Sequence, residues 1–264
     1  MTDLGDRETA KRPQRGALVI VGTGIQWGGQ TTLAAEHAIR DADTVLFAVA
    51  DAWAARWVRG LNARATPLPY PRDGRSRRDI YREMTSLVLE ALERYPKVCA
   101  VFYGSPTFLA RSAHEALHAA RAAGCTAAML PGVSSIDCLA ADLGVDLGEL
   151  GYQVFEANVF LSRPRHVDTS AHLLLCQVAM IGQRAAFDGD TERVRLGLAS
   201  LSERLQAAYP PGHRAVIYEA ARHPAEPPSV VTVALAELAA ASVGEVATLY
   251  VPPSGFELAP PADG

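Results

Sequence analysis

The chain has 264 residues, of which 49% are hydrophobic and 20% are charged, and its formal net charge is −4 at pH 7. The negative charge argues against a nucleic-acid-binding protein, because binding to phosphates requires a basic surface. No apolar run approaches the ~18 residues of a membrane span, and the first fifteen residues lack the apolar core of a signal peptide, so we expect a cytoplasmic protein.

The cysteines and histidines do not form a pattern typical of a metal site. Cys99, Cys125, Cys138 and Cys176 are scattered and form no CxxC pair, which favours buried, reduced thiols. His114 and His118 are spaced so that they share a helical face. We expect a surface pair and no bound metal.

The first half of the chain alternates short apolar runs with amphipathic segments. We predict strands over residues 17–22, 43–50, 65–67, 98–103 and 126–130, and helices over 31–42, 52–61, 78–94 and 113–123, with another helix after residue 135. The longer apolar runs are continuous rather than alternating, which is typical of strands buried on both faces of a parallel sheet. The alternation therefore predicts an α/β fold with right-handed crossovers.

The pattern changes after Asp146, where residues 147–151 resemble a linker. The second half favours strands over 152–156, 172–178, 215–218, 230–233 and 248–251, and helices over 192–208 and 235–239. Strands outnumber helices, which indicates an α+β unit with a mixed sheet. We therefore predict a disordered arm (1–15), an N-terminal α/β domain (16–147), a C-terminal α+β domain (152–252) and a loose tail (253–264).

Three turns rich in small residues follow predicted strands of the first half: 22–24, 104–106 and 131–134. Ligands usually bind at the carboxyl ends of parallel strands, so this clustering indicates a binding site. The first turn is ambiguous. A dinucleotide-binding G-x-G-x-x-G motif needs glycine where the chain has Trp27, although Asp51 ends the second strand where a ribose-binding acid could lie. An NAD site and a tight turn that binds nothing both remain open.

Seven groups of residues, in order between about residue 16 and residue 253, resemble the tetrapyrrole (precorrin) methylases. Within that superfamily they are most similar to the borosin peptide backbone α-N-methyltransferases of the split type, whose substrate comes in trans. The strings are VGTGIQWGGQ, SRRDIYREM, FYGSPTF, MLPGVS with DCLAADLG, FEANVFL, HLLLCQV, and IYEAA with LYVPP.

The resemblance implies the two-domain class III S-adenosylmethionine (SAM) methyltransferase fold, with SAM bound in the cleft between the domains. It implies a homodimer, S-adenosylhomocysteine (SAH) as a product, and no metal. The implied cofactor-binding residues are Gly22, Thr23, Gly24, Tyr103, Gly104, Ser105, Pro106, Phe108, Ser134, Ser135 and Gln177. The residues that match the family's catalytic positions are Arg77, Tyr81 and Tyr103, with Tyr70 as a possible substrate-binding residue.

The chain departs from the borosin pattern close to the implied cofactor site. Those enzymes usually have His and Gly where this chain has Ser105 and Thr107, and an acidic residue where it has Ile136. These changes bear on the shape of the pocket and on SAM affinity.

The chemistry of amide methylation suits the matched residues. An amide nitrogen is a poor nucleophile, so charge must build on its carbonyl oxygen as the proton leaves. The permanent cation Arg77 can stabilise that oxygen. A tyrosinate is a stronger base than a carboxylate, and an adjacent arginine lowers the pKa of a tyrosine. If the segment is helical, Arg77 and Tyr81 share one face.

The same residues also have structural interpretations. Arg77 at a solvated helix start could pair with Asp79 or Glu83, and Tyr81 could be an ordinary core aromatic. Ser134 and Ser135 could cap the following helix. Gln177, inside a predicted apolar strand, needs a hydrogen-bonding partner that either the backbone or the cofactor could supply.

The resemblance implies methylation of backbone amides of a ribosomally made precursor peptide. The chain stops soon after Val251 and shows no long clasp or apolar core peptide, so we expect the peptide to be supplied in trans. Two other functions remain open. One is C-methylation of a corrin-type tetrapyrrole, which would not need Arg77 and Tyr81. The other is an inactive SAM-binding partner subunit, suggested by Ser105 and Thr107.

Overall fold

The first sheet is built from parallel strands in the first half of the chain. The computed structural model describes residues 16–70, 75–183 and 190–256. The strands are β1 (Ala17–Gly22), β2 (Thr44–Ala48), β3 (Ala65–Pro67), β4 (Lys97–Phe102) and β5 (Thr126–Met129), in the order β3-β2-β4-β1-β5. All four pairings are parallel. The continuous apolar strands β1 and β4 are central, where both of their faces are covered.

Helices cover both faces of this sheet. They are α1 (Leu33–Asp41), α2 (Ala52–Leu61), α3 (Arg77–Arg94), α4 (Arg111–Ala122) and α5 (Ser135–Leu143). Apolar residues of α1 and α2 pack on one face and those of α3 and α4 on the other, because successive side chains of a strand point to opposite faces. Thr32, Asp51 and Ser76 cap the first three helices through their side chains, which satisfies backbone amides at the helix starts.

The second sheet is mixed. Its strands are β6 (Tyr152–Glu156), β7 (His172–Cys176), β8 (Arg214–Glu219), β9 (Ser229–Ala234) and β10 (Thr248–Val251), in the order β6-β7-β10-β8-β9. The β6–β7 pair is parallel and the other pairs are antiparallel. The helices α6 (Ala157–Ser162) and α7 (Thr191–Gln206) pack on one face.

The opposite face of the second sheet contacts the first half of the chain. Leu139 of α5 and Ile25 share a buried cluster with Tyr218 and Tyr250 of the second sheet. The Tyr218 hydroxyl donates a 2.6 Å hydrogen bond to the Asp142 carboxylate, which joins β8 to α5. The two sheets are therefore connected through α5.

The predicted α/β class with a parallel sheet is confirmed, and most elements agree within a few residues. Three details differ. The short helix α6 was not predicted, because six residues are too few for a helical period to be recognised. Residues 235–240 form a 3₁₀ helix rather than an α-helix. Strand β7 ends at Cys176, because Gln177 adopts a left-handed conformation.

The predicted division into two domains stays a prediction, and the predicted arm (1–15) lies outside the described residues. Residues 253–256, assigned to a loose tail, are packed: the Ser254 amide donates to the Thr169 carbonyl at 2.8 Å, and the Phe256 ring meets His172 edge-on at 5.4 Å. The rest of that tail (257–264) also lies outside the described residues. Within the described ranges, no helix is long and apolar enough to cross a membrane.

Gly22 provides a test of how the turns after β1 and β4 pack. In Gly22→Ala, the added Cβ would overlap the Gly104 carbonyl oxygen and lie 2.8 Å from Cδ of Pro106. We expect urea denaturation to show a loss of about 3 kcal/mol in the free energy of unfolding. Gly29→Ala is the matched control, because its Cβ would meet nothing within 4 Å. Equal stability of the two variants would contradict this account.

Candidate active site

A cavity of about 660 Å³ lies between the two sheets. The first half of the chain contributes residues 47–52 at the end of β2 and beyond it, residues 102–105 at the end of β4 and beyond it, and side chains of α3. The second half contributes residues 176–177, 220, 222 and 248. The carboxyl ends of neighbouring parallel strands lie at the same edge of a sheet, which is why the segments after β2 and β4 meet here. The volume falls within the range typical of small-molecule sites, ~300–1,000 Å³.

The glycine turn after β1 supports this cavity without lining it. Gly24 and Gly104 exchange backbone hydrogen bonds of 3.2 and 3.0 Å, and the Thr23 hydroxyl donates to the Gly24 carbonyl at 2.8 Å. Neither Gly22, Thr23, Gly24 nor Pro106 is among the lining residues. The residues of the turn predicted to bind cofactor therefore pack against the 104 turn, because glycine permits that close approach. Because the turn does not line the cavity, the structure gives no support to a dinucleotide site there.

Arg77, Tyr81 and Tyr70 form one cluster in the cavity. Arg77 and Tyr81 lie one turn apart on α3 and both line the cavity, as the spacing predicted. The Tyr70 and Tyr81 rings lie 6.4 Å apart between centroids. A guanidinium and two phenols therefore lie together, Arg77 and Tyr81 from α3 and Tyr70 from the chain before it.

The proposed structural role for Arg77 as an ion-pair partner is not observed. Glu83 pairs with Arg75 at 2.7 Å, and Asp79 lies 3.5 Å from Arg82. Among the described residues, no carboxylate is in an ion pair with Arg77. Its charge is therefore available to a ligand in the cavity.

Tyr70 is held in its protonated form. Partial burial of the side chain raises its pKa above the ordinary value, and interaction with Tyr81 raises it further, while Arg77 opposes both effects. Nearly half of the Tyr70 surface, 46%, is nevertheless accessible. At neutral pH, Tyr70 is therefore a hydrogen-bond donor rather than a base.

Tyr103 lines the same cavity with different charged neighbours. Burial raises its pKa to about 12, and the largest opposing effect comes from Arg222, not from Arg77. The expectation that an arginine lowers the pKa of the catalytic tyrosine is therefore wrong for Tyr103, because desolvation of the phenolate outweighs the attraction of the cation. Arg222 follows β8 and reaches the cavity from the second sheet.

Gln177 and Leu109 both line the cavity and are the two non-glycine residues with positive φ among those described, at 60° and 52°. Such conformations cost energy and cluster at functional sites. The sequence predicted Gln177 inside a strand, but the residue lies directly after the end of β7. Within the described chain its side-chain amide has no hydrogen-bond partner, so the backbone does not satisfy it.

The serines of the predicted cofactor site divide into two groups. Ser134 caps α5 in a capping box with Asp137, which confirms its structural role, and it also lines the cavity. Ser135 lines the cavity as well. Ser105 is 5% exposed, and its hydroxyl lies 2.8 Å from that of Thr107. Two of the three residues that depart from the borosin pattern, Ser105 and Thr107, thus contact each other. Gly104 and Phe108 complete this wall.

Several lining residues were not identified from the sequence: Ala48, Val49, Ala50, Ala220, Arg222, Glu245, Val246 and Thr248. The family string IYEAA (217–221) directly precedes Arg222, so its position in the sequence could have indicated that Arg222 lies near the site. Asp51, noted only for a dinucleotide site, lines the cavity while its carboxylate accepts from the Ala54 amide at 2.8 Å.

The residues present fit SAM. An unpartnered amide (Gln177), a hydroxyl (Ser135) and a carboxylate (Asp51) line a largely apolar cavity, and these groups suit the hydroxyls, amino group and positive sulfonium of that molecule. In the described ranges, no three His, Cys, Asp or Glu side chains lie close enough together to hold a metal ion.

Gln177 provides a test of the cavity as a SAM site. Gln177→Ala removes the amide, and calorimetry should show SAH binding about tenfold more weakly. Gln177→Gly also removes the left-handed strain, so it should bind as weakly but unfold with about 1 kcal/mol more free energy than Gln177→Ala. Wild-type SAH affinity in both variants would contradict a role for this amide.

Comparison with known proteins agrees with this architecture. Two curated relatives are a methyltransferase/ribosomally synthesized cyclic peptide dendrothelin A precursor from Dendrothele bispora and an omphalotin A precursor of the same kind from Omphalotus olearius. Each is 36% identical over 255 residues, covering 93% of this chain and 60% of the relative. The chain thus spans about 60% of these relatives' length.

Solved structures show the same fold at low sequence identity. The methyltransferase CobJ superposes with a TM-score of 0.64 at 18% identity, covering 93% of this chain and 98% of CobJ. Uroporphyrin-III C-methyltransferase from Thermus thermophilus complexed with S-adenosylhomocysteine superposes with a TM-score of 0.60 at 20% identity. The match covers 90% of this chain and 92% of that enzyme. Residues 17–239 match the family model of the Tetrapyrrole (Corrin/Porphyrin) Methylases, and the chain belongs to that family.

Proposed function

We propose that this protein is a SAM-dependent methyltransferase that methylates backbone amide nitrogens of a ribosomally made precursor peptide supplied as a separate chain. The observation that carries the proposal is the cluster of Arg77, Tyr81 and Tyr70 in the cavity, where no carboxylate among the described residues is paired with Arg77. The relatives' names, which combine a methyltransferase with a cyclic peptide precursor, support a peptide substrate.

The cofactor half of the cavity is assigned to seven lining residues: Tyr103, Gly104, Ser105, Phe108, Ser134, Ser135 and Gln177. When bound, SAM supplies an electrophilic methyl group on a sulfonium sulfur. The buried wall formed by Gly104 and Ser105 excludes water from that side of the cavity. The unpartnered Gln177 amide is available to orient the ligand through hydrogen bonds.

Arg77 acts on the peptide. Amide methylation transfers negative charge from nitrogen to the carbonyl oxygen, and a guanidinium near that oxygen stabilises it as the charge develops. A fixed cation in a site with limited water access interacts more strongly than one in bulk solvent. Because Asp79 and Glu83 are occupied by other arginines, Arg77 need not break an ion pair to do this.

Tyr81 is assigned as the base and Tyr70 as its hydrogen-bonding neighbour. In the proposed step the amide proton would pass to the Tyr81 oxygen, a bond would form between the nitrogen and the methyl carbon of SAM, and the bond between that carbon and sulfur would break, giving SAH. Tyr70, which retains its proton, can donate a hydrogen bond to the Tyr81 oxygen. Arg77 lies one helical turn before Tyr81.

Supply of the peptide in trans, a homodimeric assembly and a cytoplasmic location remain parts of this proposal. The relatives combine enzyme and precursor in one protein, whereas the present proposal assigns them to two. An assay with a separate peptide tests that difference directly.

The catalytic assignment is tested with the precursor segment of the Omphalotus olearius relative, supplied as a separate peptide with SAM. We expect mass spectrometry to show gains of whole methyl groups, located on backbone amides by fragmentation. Arg77→Lys and Tyr81→Phe should each lower the methylation rate about 100-fold or more, because the interaction lost is made with the transition state. Calorimetric SAH affinity should stay within about twofold of wild type.

Arg78→Lys is the matched control, because Arg78 is the next residue of α3, is exposed and does not line the cavity. Equal rates for the Arg77 and Arg78 variants would contradict the role of Arg77. Methylation of uroporphyrinogen III but not of the peptide would favour the tetrapyrrole alternative, and SAH binding with no methylation of either would favour an inactive subunit.

A further inference from the structure

All three tryptophans of the chain lie around one helix. Trp53 and Trp57 are one turn apart on α2, and the Trp27 ring lies 6.3 Å from that of Trp57. Trp53 is 61% exposed, which is unusual for so large an apolar side chain. We call the outward face of α2, formed by Trp53, Arg56, Trp57 and Gly60, the α2 ridge; these positions follow the three- and four-residue spacing of one helical face.

The α2 ridge carries one positive charge, that of Arg56. The helix carries two arginines and no acidic residue, although the chain as a whole is acidic. Arg56 is exposed, and in the described part of the chain no carboxylate pairs with it. The Arg59 guanidinium lies 5.1 Å from the centre of the Phe47 ring. The Arg56 charge beside Trp53 is therefore available to bind an external anion.

The α2 ridge is continuous with the mouth of the active-site cavity. Ala52 and Ala55 of α2 line the cavity, and Ala52 is also exposed, so the opening reaches the first turn of the helix. Trp53 is the next residue. At 1.5 Å per residue, the face from Trp53 to Gly60 extends about 10 Å away from that opening. The α2 ridge therefore begins beside the mouth of the cavity.

We propose that the α2 ridge binds a segment of the precursor peptide that lies outside the methylated amides and carries apolar or aromatic side chains together with acidic ones. Tryptophan and arginine are the residues that contribute most at interfaces, and Gly60, with nothing near its Cβ position, leaves room for a bulky partner. The inference rests on the proposed function for the identity of the occupant.

A second copy of this chain is a poorer occupant. In a two-fold contact the same surface meets itself, so the Arg56 side chains of both copies would approach each other. Like charges without intervening carboxylates oppose such a contact. An acidic peptide removes that repulsion and covers the tryptophans at the same time.

The test uses two synthetic, dye-labelled peptides with the same leucine, phenylalanine and glycine content, one with aspartates and the other with lysines at the remaining positions. Fluorescence anisotropy measures their binding to the full chain. We expect the aspartate peptide to bind and the lysine peptide to bind at least tenfold more weakly. Trp53→Ala should weaken the aspartate peptide about thirtyfold, and Arg56→Glu should reverse the preference between the two peptides.

Matched controls come from exposed residues far along the chain. Leu196→Ala on α7 removes an apolar side chain that is 53% exposed, and Arg94→Glu reverses an exposed charge on α3; both should bind like wild type. SAH titration separates the two proposals. If wild type does not bind SAH, the proposed function is overturned. The difference in affinity between the aspartate and lysine peptides tests the α2 ridge alone.

Three results would overturn the inference. The first is binding of neither peptide, or of both equally, by wild type. The second is unchanged binding in Trp53→Ala and Arg56→Glu. The third is a concentration-dependent dimer, measured by light scattering, that Trp53→Ala abolishes while peptide binding is absent, because the occupant would then be a second copy.

Discussion

The reciprocal backbone hydrogen bonds between Gly24 and Gly104 are the constraint on which the site depends. They tie the turn after β1 to the turn after β4, and only glycine at position 22 lets the two backbones come so close. Tyr103 and Ser105 flank Gly104, so their positions in the cavity follow from this contact. The glycine turn after β1 thus supports the residues 103–105 that line the cavity.

The charges of the cavity are arranged in two groups. Arg77 lies with Tyr70 and Tyr81 on the side of α3, whereas Arg222 and Asp51 are neighbours of Tyr103. Burial raises the pKa values of Tyr70 and Tyr103, so both of these cavity tyrosines are hydrogen-bond donors at neutral pH. The mechanism proposed above places proton transfer at Tyr81, beside Arg77, and the groups around Tyr81 differ from those around the assigned SAM position.

The sequence predicted the elements that depend on long patterns. Continuous apolar runs such as β4 predict a parallel sheet because both faces must be buried, and the spacing of Arg77 and Tyr81 predicts a shared helical face. The sequence did not predict features that depend on the backbone conformation of a single residue or on contacts between residues far apart in the chain. The end of β7 depends on the left-handed Gln177, and the arginine beside Tyr103 comes from a bend more than a hundred residues later. The role of the glycine turn could not be read from the sequence, because close backbone approach and ligand binding favour the same residues.

The hydrogen bond from Tyr218 to Asp142 has a consequence for movement of the two sheets. Burial, and then the carboxylate itself, raises the pKa of Tyr218, so this phenol keeps its proton and the bond persists across the physiological range. With the apolar cluster around Leu139, it fixes β8 against α5. The contact between His223 and Asp51, which lines the cavity, is longer, at 4.0 Å. The α5–β8 contact therefore ties the two halves of the chain together more tightly than the contact of the 222–223 bend does.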